Sequence, residues 1–155
     1  AGQFMWTYYN IIAKIEVPYP SFADIGYFLV IPFTCLAMLS FSKATGAKFT
    51  FKTIGNSIQI ILVPAVMVAA AYFLFLNDYK YDFTNPVKVF LDFGYPLGEA
   101  IYISLAILTY LLSKHLLGGI MRGNILFIIF VFVIQFVDWL IWWTQHNVQL
   151  IVWHY

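Results

Sequence analysis

The sequence predicts an all-α protein, a polytopic bundle of transmembrane helices. Hydrophobic residues make up 63% of its 155 residues and charged residues only 10%, whereas about 25% of the residues in an average soluble domain are charged. Several stretches run for roughly 18 or more residues with few or no charges, which is the length that crosses a hydrocarbon core of about 30 Å. We therefore expect one membrane-embedded helical domain over residues 1–155.

Four segments have the length and composition of membrane spans: 22–41, 56–76, 95–113 and 124–145. The stretches at 4–15 and 148–155 are apolar but too short to cross at about 1.5 Å per residue. We expect additional short or truncated helices at both ends, in either a complete bundle or an excerpt of a longer one. Pro32 and Pro64 should bend the first two spans, because each lacks a backbone donor.

The positive charges in the loops predict the orientation. The loop over 42–55 carries three lysines and no acid, and the loop over 114–123 carries Lys114 and Arg122 and no acid. Short loops rich in Lys and Arg stay in the cytoplasm. We expect both loops to be cytoplasmic and the termini to lie on the other side.

Several classes of function are disfavoured. A net charge of +1, scattered among short loops, gives no basic surface for nucleic acid. Cys35 is the only cysteine, and His115, His146 and His154 form no HxxxH pair that would hold a metal. No nucleophile and base can be paired. We therefore expect no cofactor, no metal site, no nucleic-acid partner and no enzymatic activity.

Two similar motifs each place an acid near a proline. Residues 20–27 read Pro-Ser-Phe-Ala-Asp-Ile-Gly-Tyr, and residues 95–102 read Tyr-Pro-Leu-Gly-Glu-Ala-Ile-Tyr. The pattern predicts that Asp24 and Glu99 lie in the first turns of two parallel helices, where the positive end of the macrodipole favours an acid. The two copies are a candidate parallel repeat of helical hairpins. Under this interpretation both acids have a sufficient structural role as helix caps.

A third acid lies inside a predicted span. Asp138 is surrounded by apolar residues in the segment 124–145, and a carboxylate there costs at least about 2.5–3.5 kcal/mol. It should face the bundle interior, a partner or water, on an interior polar stripe with Gln135 and Trp142. The alternative is a structural role, in which Asp138 forms a hydrogen bond that holds a neighbouring helix in place. The spacing also puts a tyrosine on the same face as each of the other two acids. We expect an outward-facing ligand-binding pocket formed by Asp24, Tyr27, Glu99, Tyr102, Gln135 and Asp138.

The two motifs resemble the multi-spanning membrane region that precedes some bacterial diguanylate cyclases and histidine kinases. Those regions often contain P-S-x-A-D-x-x-Y and, two helices later, Y-P-L-G-D; here Glu99 stands in place of the final Asp. The resemblance implies a sensory or signal-input domain in the bacterial inner membrane, or in an archaeal cytoplasmic membrane. No GGDEF or kinase output module follows in this sequence.

Three functions remain open. The first is a sensory or ligand-binding module that binds without turnover and acts through a signalling partner. The second is a small transporter or channel with proton-linked carboxylates. The third is an accessory or structural subunit of a membrane complex. Each of them requires the lipid bilayer, and each is compatible with a homo-oligomer.

Overall fold

The protein is an all-α helical bundle. The computed structural model describes residues 2–15, 17–47, 49, 53–77, 79, 83–114, 116 and 119–152, with the backbone alone at 119–120 and 145–152. Its helices are α1 (Gly2–Thr7), α2 (Phe22–Phe28), α3 (Val30–Ala44), α4 (Ile54–Ala71), α5 (Pro86–Ser113) and α6 (Gly119–Val152), with π-helical turns at Tyr8–Ala13 and Tyr72–Leu76. The described residues include no strand.

Four helical segments among the described residues are long and apolar enough to cross a membrane: Phe22–Ala44, Ile54–Leu76, Pro86–Ser113 and Met121–Thr144. They correspond to the four predicted spans, so the predicted membrane bundle is confirmed. Large apolar side chains such as Phe33, Ile61 and Phe127 are exposed on their outer faces. Lipid-facing helices expose such side chains because the surrounding solvent is itself apolar.

Helix α5 is the centre of the bundle. In its span window 61% of the residues are buried, against 11% in each of the other three windows. It packs against α3, α4 and α6. Most side chains on α5 are therefore placed in the protein interior, including those of the acids Asp92 and Glu99.

Two glycines let α5 approach the first span closely. A Cβ atom on Gly94 would lie 2.5 Å from the Phe28 ring, and one on Gly98 would lie 2.5 Å from Cδ1 of Ile31. Both distances are below van der Waals contact. The spacing of four residues is the small-xxx-small pattern that brings membrane helices together.

Helix α5 begins nine residues before the predicted start at 95, at Pro86. The Asn85 side chain caps the helix by accepting a hydrogen bond from the Lys88 backbone N–H at 3.1 Å, and Pro86 occupies the first turn, where no donor is needed. Pro96 lies inside the helix. The predicted position of Glu99 in a first turn is therefore wrong, and the macrodipole does not explain this acid.

The first span divides at Leu29 into α2 and α3. Pro32 has no N–H to donate to the Phe28 carbonyl four residues earlier, which accounts for the break. At the start of α2 the Ser21 hydroxyl accepts from Ala23 N–H at 3.2 Å, and the Asp24 carboxyl accepts from Ser21 N–H at 2.7 Å. This reciprocal arrangement is a capping box. The predicted capping role of Asp24 is thus present in the structure.

The N-terminal segment lies against α2. A Cβ on Gly2 would be 2.9 Å from the Ala23 carbonyl oxygen, so the two helices touch through their backbones. The Tyr27 hydroxyl donates a hydrogen bond to Oε1 of Gln3 at 2.9 Å. This helical segment ends at Ala13 and is short, as the sequence predicted.

At the other end of the chain, α6 continues through Val152. The predicted separate short element at 148–155 is therefore, as far as residue 152, the last part of α6. His115, His154 and two lysines of the loop over 42–55, Lys48 and Lys52, lie outside the described residues, as does the side chain of His146.

Candidate functional site

A cavity of about 650 Å³ lies between the N-terminal segment, α2, α3, α5 and α6. This volume is within the range of roughly 300–1,000 Å³ typical of small-molecule sites. All six residues that the sequence predicted as a pocket line it: Asp24, Tyr27, Glu99, Tyr102, Gln135 and Asp138. Whether the cavity binds a ligand stays a prediction.

The α5 wall of the cavity is formed by three residues on one helical face. Tyr95, Glu99 and Tyr102 follow one another at spacings of four and three residues, and such positions lie one above the other on a helix. Only 7% of Glu99 and 1% of Tyr102 are exposed. Two polar groups are therefore held in the centre of the bundle, beside the cavity.

Glu99 and Tyr102 retain unused hydrogen-bonding capacity. The Glu99 carboxyl group is close enough to the Tyr102 hydroxyl and the Gln135 amide to interact with both. Its Oε2 atom and the Tyr102 hydroxyl are nevertheless buried without a hydrogen-bond partner of suitable geometry among the described residues. Most buried polar groups in proteins are paired, so these two atoms need an explanation.

Asp24 is held firmly at its place in the cavity wall. One carboxyl oxygen accepts from the Ser21 N–H and hydroxyl, at 2.7 and 3.1 Å. The other accepts from the Tyr95 hydroxyl at 3.1 Å. Asp24 belongs to the first motif and Tyr95 to the second, so the two motifs meet in space. This hydrogen bond between two lining residues joins α2 to α5.

Helix α6 contributes an accessible wall. Gln135, Asp138 and Trp142 all line the cavity, and all three are exposed. The sequence predicted that this polar stripe lines the protein interior; in the structure its residues border the open cavity between the helices. The Asp138 carboxyl group is near enough to Glu99 to interact electrostatically with it. The cavity thus has a buried acid and an accessible acid on neighbouring helices.

Aromatic rings form much of the remaining wall. Trp139 and Trp142 stack with their ring centroids 4.7 Å apart and an interplanar angle of 9°. Tyr95 packs on Trp139 at 5.0 Å, and Tyr19 meets Trp142 edge to face at 6.3 Å. Nε1 of Trp139 is buried without a partner among the described residues. A third unpaired polar atom is therefore found on the cavity wall.

A second buried acid lies on α5 outside the cavity lining. Asp92 is 1% exposed and accepts hydrogen bonds from the Tyr19 hydroxyl at 2.6 Å and the Tyr79 hydroxyl at 2.5 Å. Burial, followed by the bond to Asp92, raises the pKa of Tyr19 well above its usual value. Tyr19 precedes α2, so this cluster anchors the N-terminal loop to α5.

Sequence reasoning missed three contributors to this region. Asp92 fell outside the predicted span, because the predicted start at 95 is nine residues later than the start of α5. Tyr and Trp residues such as Tyr19 and Trp139 are typical of membrane–water interfaces, so neither was expected at the cavity. Trp139 lies four residues after Gln135 and three before Trp142. It therefore shares a helical face with both, and this spacing could have identified it.

Among the residues that the structure describes, no group of three His, Cys, Asp or Glu side chains is placed to hold a metal ion. The three acids of the cavity are spread over α2, α5 and α6. Comparisons with protein-family models, with curated proteins and with solved structures found no match.

Proposed function

We propose that this chain is an integral membrane sensory or ligand-binding module whose cavity binds a small polar molecule. The proposal is supported by the cavity's volume, its mixed polar and aromatic lining, and its position between the N-terminal segment and three of the membrane spans. A bound molecule that contacts α2, α5 and α6 together would stabilise one arrangement of the bundle over others, which is how a ligand shifts a conformational equilibrium.

The distribution of unpaired buried atoms carries the proposal. Four buried side-chain N or O atoms lack a hydrogen-bond partner among the described residues: Ser42 Oγ, Glu99 Oε2, Tyr102 OH and Trp139 Nε1. Three of these four residues line the cavity. Each unpaired group costs about 1–3 kcal/mol, and a ligand that satisfied all three would recover that cost on binding.

A binding screen tests the proposal. The purified protein in lipid nanodiscs is exposed to a panel of metabolites of mixed charge, and the unfolding midpoint is measured for wild type and for Glu99→Gln. We expect a subset of compounds to raise the midpoint of the wild type and to raise that of the variant much less. A panel that stabilises neither protein, or stabilises both equally, would remove the basis for a site at Glu99.

A transporter is the second candidate, and the pair of acids on α5 and α6 favours it. Glu99 is buried, Asp138 is accessible, and the two interact, which is an arrangement that could pass a proton between water and the interior. Flux into proteoliposomes that is lost in Asp138→Asn would support transport. A sensory module predicts binding with no flux in either protein. The absence of both binding and flux in the wild type would favour the accessory-subunit alternative.

The proposed location is a bacterial or archaeal cytoplasmic membrane, with the loops over 42–55 and 114–123 in the cytoplasm. Cysteine labelling tests the orientation in a Cys35→Ser background. Thr84→Cys, in the loop before α5, should react with an impermeant maleimide in intact cells. Lys114→Cys, just after α5, should react only after permeabilisation. The reverse pattern would invert the proposed topology.

A further inference from the structure

The chemistry of the cavity indicates which class of molecule it would accept. Three carboxyl groups line it, those of Asp24, Glu99 and Asp138, and no Lys, Arg or His is among the described lining residues. An anionic ligand would find no positive partner there. A cation would find one acid on each of three helices, one of them largely buried. The charge of the lining therefore selects against anions and in favour of cations.

The aromatic lining favours an organic cation. Seven of the lining residues are Trp or Tyr, and the stacked pair Trp139 and Trp142 adjoins Tyr95. Aromatic faces attract ammonium groups through their quadrupoles, and cages of such rings recognise amines. A bare metal ion would instead need several oxygen ligands close together. The described acids do not form such a cluster.

The unpaired atoms define the ligand further. Glu99 Oε2 is an acceptor and matches an N–H donor of a protonated amine. Trp139 Nε1 is a donor only, and the Tyr102 hydroxyl both donates and accepts. A molecule that carries an ammonium group and, separately, an oxygen acceptor would satisfy all three atoms. A quaternary ammonium ion has no N–H and would leave Glu99 Oε2 unpaired.

We propose that the cavity is a binding site for a protonated organic amine, with the ammonium group at Glu99 and the rest of the molecule against the aromatic wall of Tyr95, Trp139 and Trp142. This inference rests on the proposed ligand-binding function and names its substrate class. Glu99 provides the charge-assisted hydrogen bond, and Asp138 provides a second attraction at the accessible wall. Asp24, already bonded to Ser21 and Tyr95, contributes charge from its fixed position.

Probes of matched shape test the proposal. 2-Phenylethylamine, its neutral counterpart 2-phenylethanol and the anion 3-phenylpropionate share one ring and a short chain, and spermidine adds a polyamine. Binding is followed in nanodiscs by tryptophan fluorescence, since Trp6, Trp139 and Trp142 line the cavity, and by the unfolding midpoint. We expect at least one of the two amines to bind more than tenfold more tightly than the alcohol, and the anion to bind least.

Variants locate the ammonium group. Glu99→Gln should weaken amine binding roughly 10- to 100-fold, the usual effect of losing a buried charge-assisted hydrogen bond. Asp138→Asn, at an exposed position where folding should be unaffected, should weaken it several-fold. Ser42→Ala is the matched control, because it removes an unpaired buried oxygen that does not line the cavity, and it should leave binding unchanged.

The outcomes separate this inference from the broader function. Equal binding of the amine and the alcohol, or tighter binding of the anion, overturns the amine assignment while ligand binding itself stands. Amine binding that is unchanged in both Glu99→Gln and Asp138→Asn overturns the assignment of the site. If no amine binds but neutral compounds of the metabolite panel do, the inference fails alone. If nothing in either set binds, the inference and the proposed function fail together.

Discussion

Two acids on α5, Asp92 and Glu99, stand seven residues apart and therefore on the same side of the helix. Both are largely buried, at 1% and 7% exposure. Asp92 accepts hydrogen bonds from two tyrosine hydroxyls, whereas Glu99 keeps one oxygen unpaired beside a cavity. A satisfied buried acid contributes to stability, and an unsatisfied one is a stability cost that a ligand would relieve. The contrast distinguishes an anchor from a site within one helix.

The largest effect is expected from removing the anchor. Asp92→Ala leaves the hydroxyls of Tyr19 and Tyr79 without their acceptor and detaches the N-terminal loop from α5. We expect the free energy of unfolding to fall by roughly 2–4 kcal/mol. Denaturant titration in mixed micelles measures the change, and an unaltered midpoint would contradict the structural role of Asp92.

The next largest effect is expected from the close contact between Gly98 of α5 and Ile31 of α3. Gly98→Val would place side-chain atoms where Ile31 already lies, and overpacking of this kind costs roughly 1–3 kcal/mol. Gly123→Ala in α6 is the control, since no atom of the described residues, apart from its chain neighbours and the backbone of its own helix, lies within 4 Å of the added Cβ. It should stabilise the helix by about 0.5–1 kcal/mol. Equal effects of the two variants would show that close packing of α5 is unimportant.

A smaller effect is expected from Tyr19, which contributes one of the two bonds to Asp92. Tyr19→Phe should cost about 1–2 kcal/mol at neutral pH. Because the folded protein raises the pKa of Tyr19, this contribution is fully present below the unfolded pKa of about 10 and is lost as the pH rises above it. Above about pH 10 the wild type should therefore lose stability more steeply than Tyr19→Phe. Parallel pH profiles of the two proteins would argue against this bond.

The smallest effect on stability is expected at Glu99. Glu99→Gln replaces a buried carboxyl group that has an unpaired oxygen and keeps the size of the side chain, so the unfolding free energy should change by less than about 1 kcal/mol or increase. The same titration used for Asp92→Ala measures it. A loss of stability comparable to that of Asp92→Ala would show that Glu99 also stabilises the fold and does not differ from Asp92 in this respect.

The sequence sufficed for the bundle because hydropathy and helix length report directly on the solvent that each span faces. It failed at the start of α5, where Pro96 has the signature of a first helical turn. The true start depends on Asn85 and Pro86, which are weaker signals in a short polar loop. Membrane helices tolerate an internal proline because neighbouring groups compensate for its missing donor. A proline is therefore a poor boundary marker in such a chain.

The candidate site was predicted in part, since its six residues do line one cavity. Local spacing identified Glu99 with Tyr102 and Gln135 with Asp138, because residues three or four apart share a helical face. The pairing of Asp24 with Tyr95 and of Asp92 with Tyr19 depends on contacts between residues more than 70 positions apart. Those contacts follow from tertiary packing, and no periodic pattern in the sequence indicates them. The contact of Gly94 and Gly98 with the first span is different, because their small-xxx-small spacing is visible in the sequence.

The most direct test of the central claim is an infrared difference spectrum of the carboxyl stretches, recorded in lipid with and without the compound that stabilises the wild type most. Three proteins are compared: wild type, Glu99→Gln and Asp92→Asn. If the cavity binds its ligand at the unpaired Glu99 oxygen, the wild type should give a carboxyl difference band that disappears in Glu99→Gln and persists in Asp92→Asn. A band that persists in Glu99→Gln, or the absence of any carboxyl band, would contradict the account.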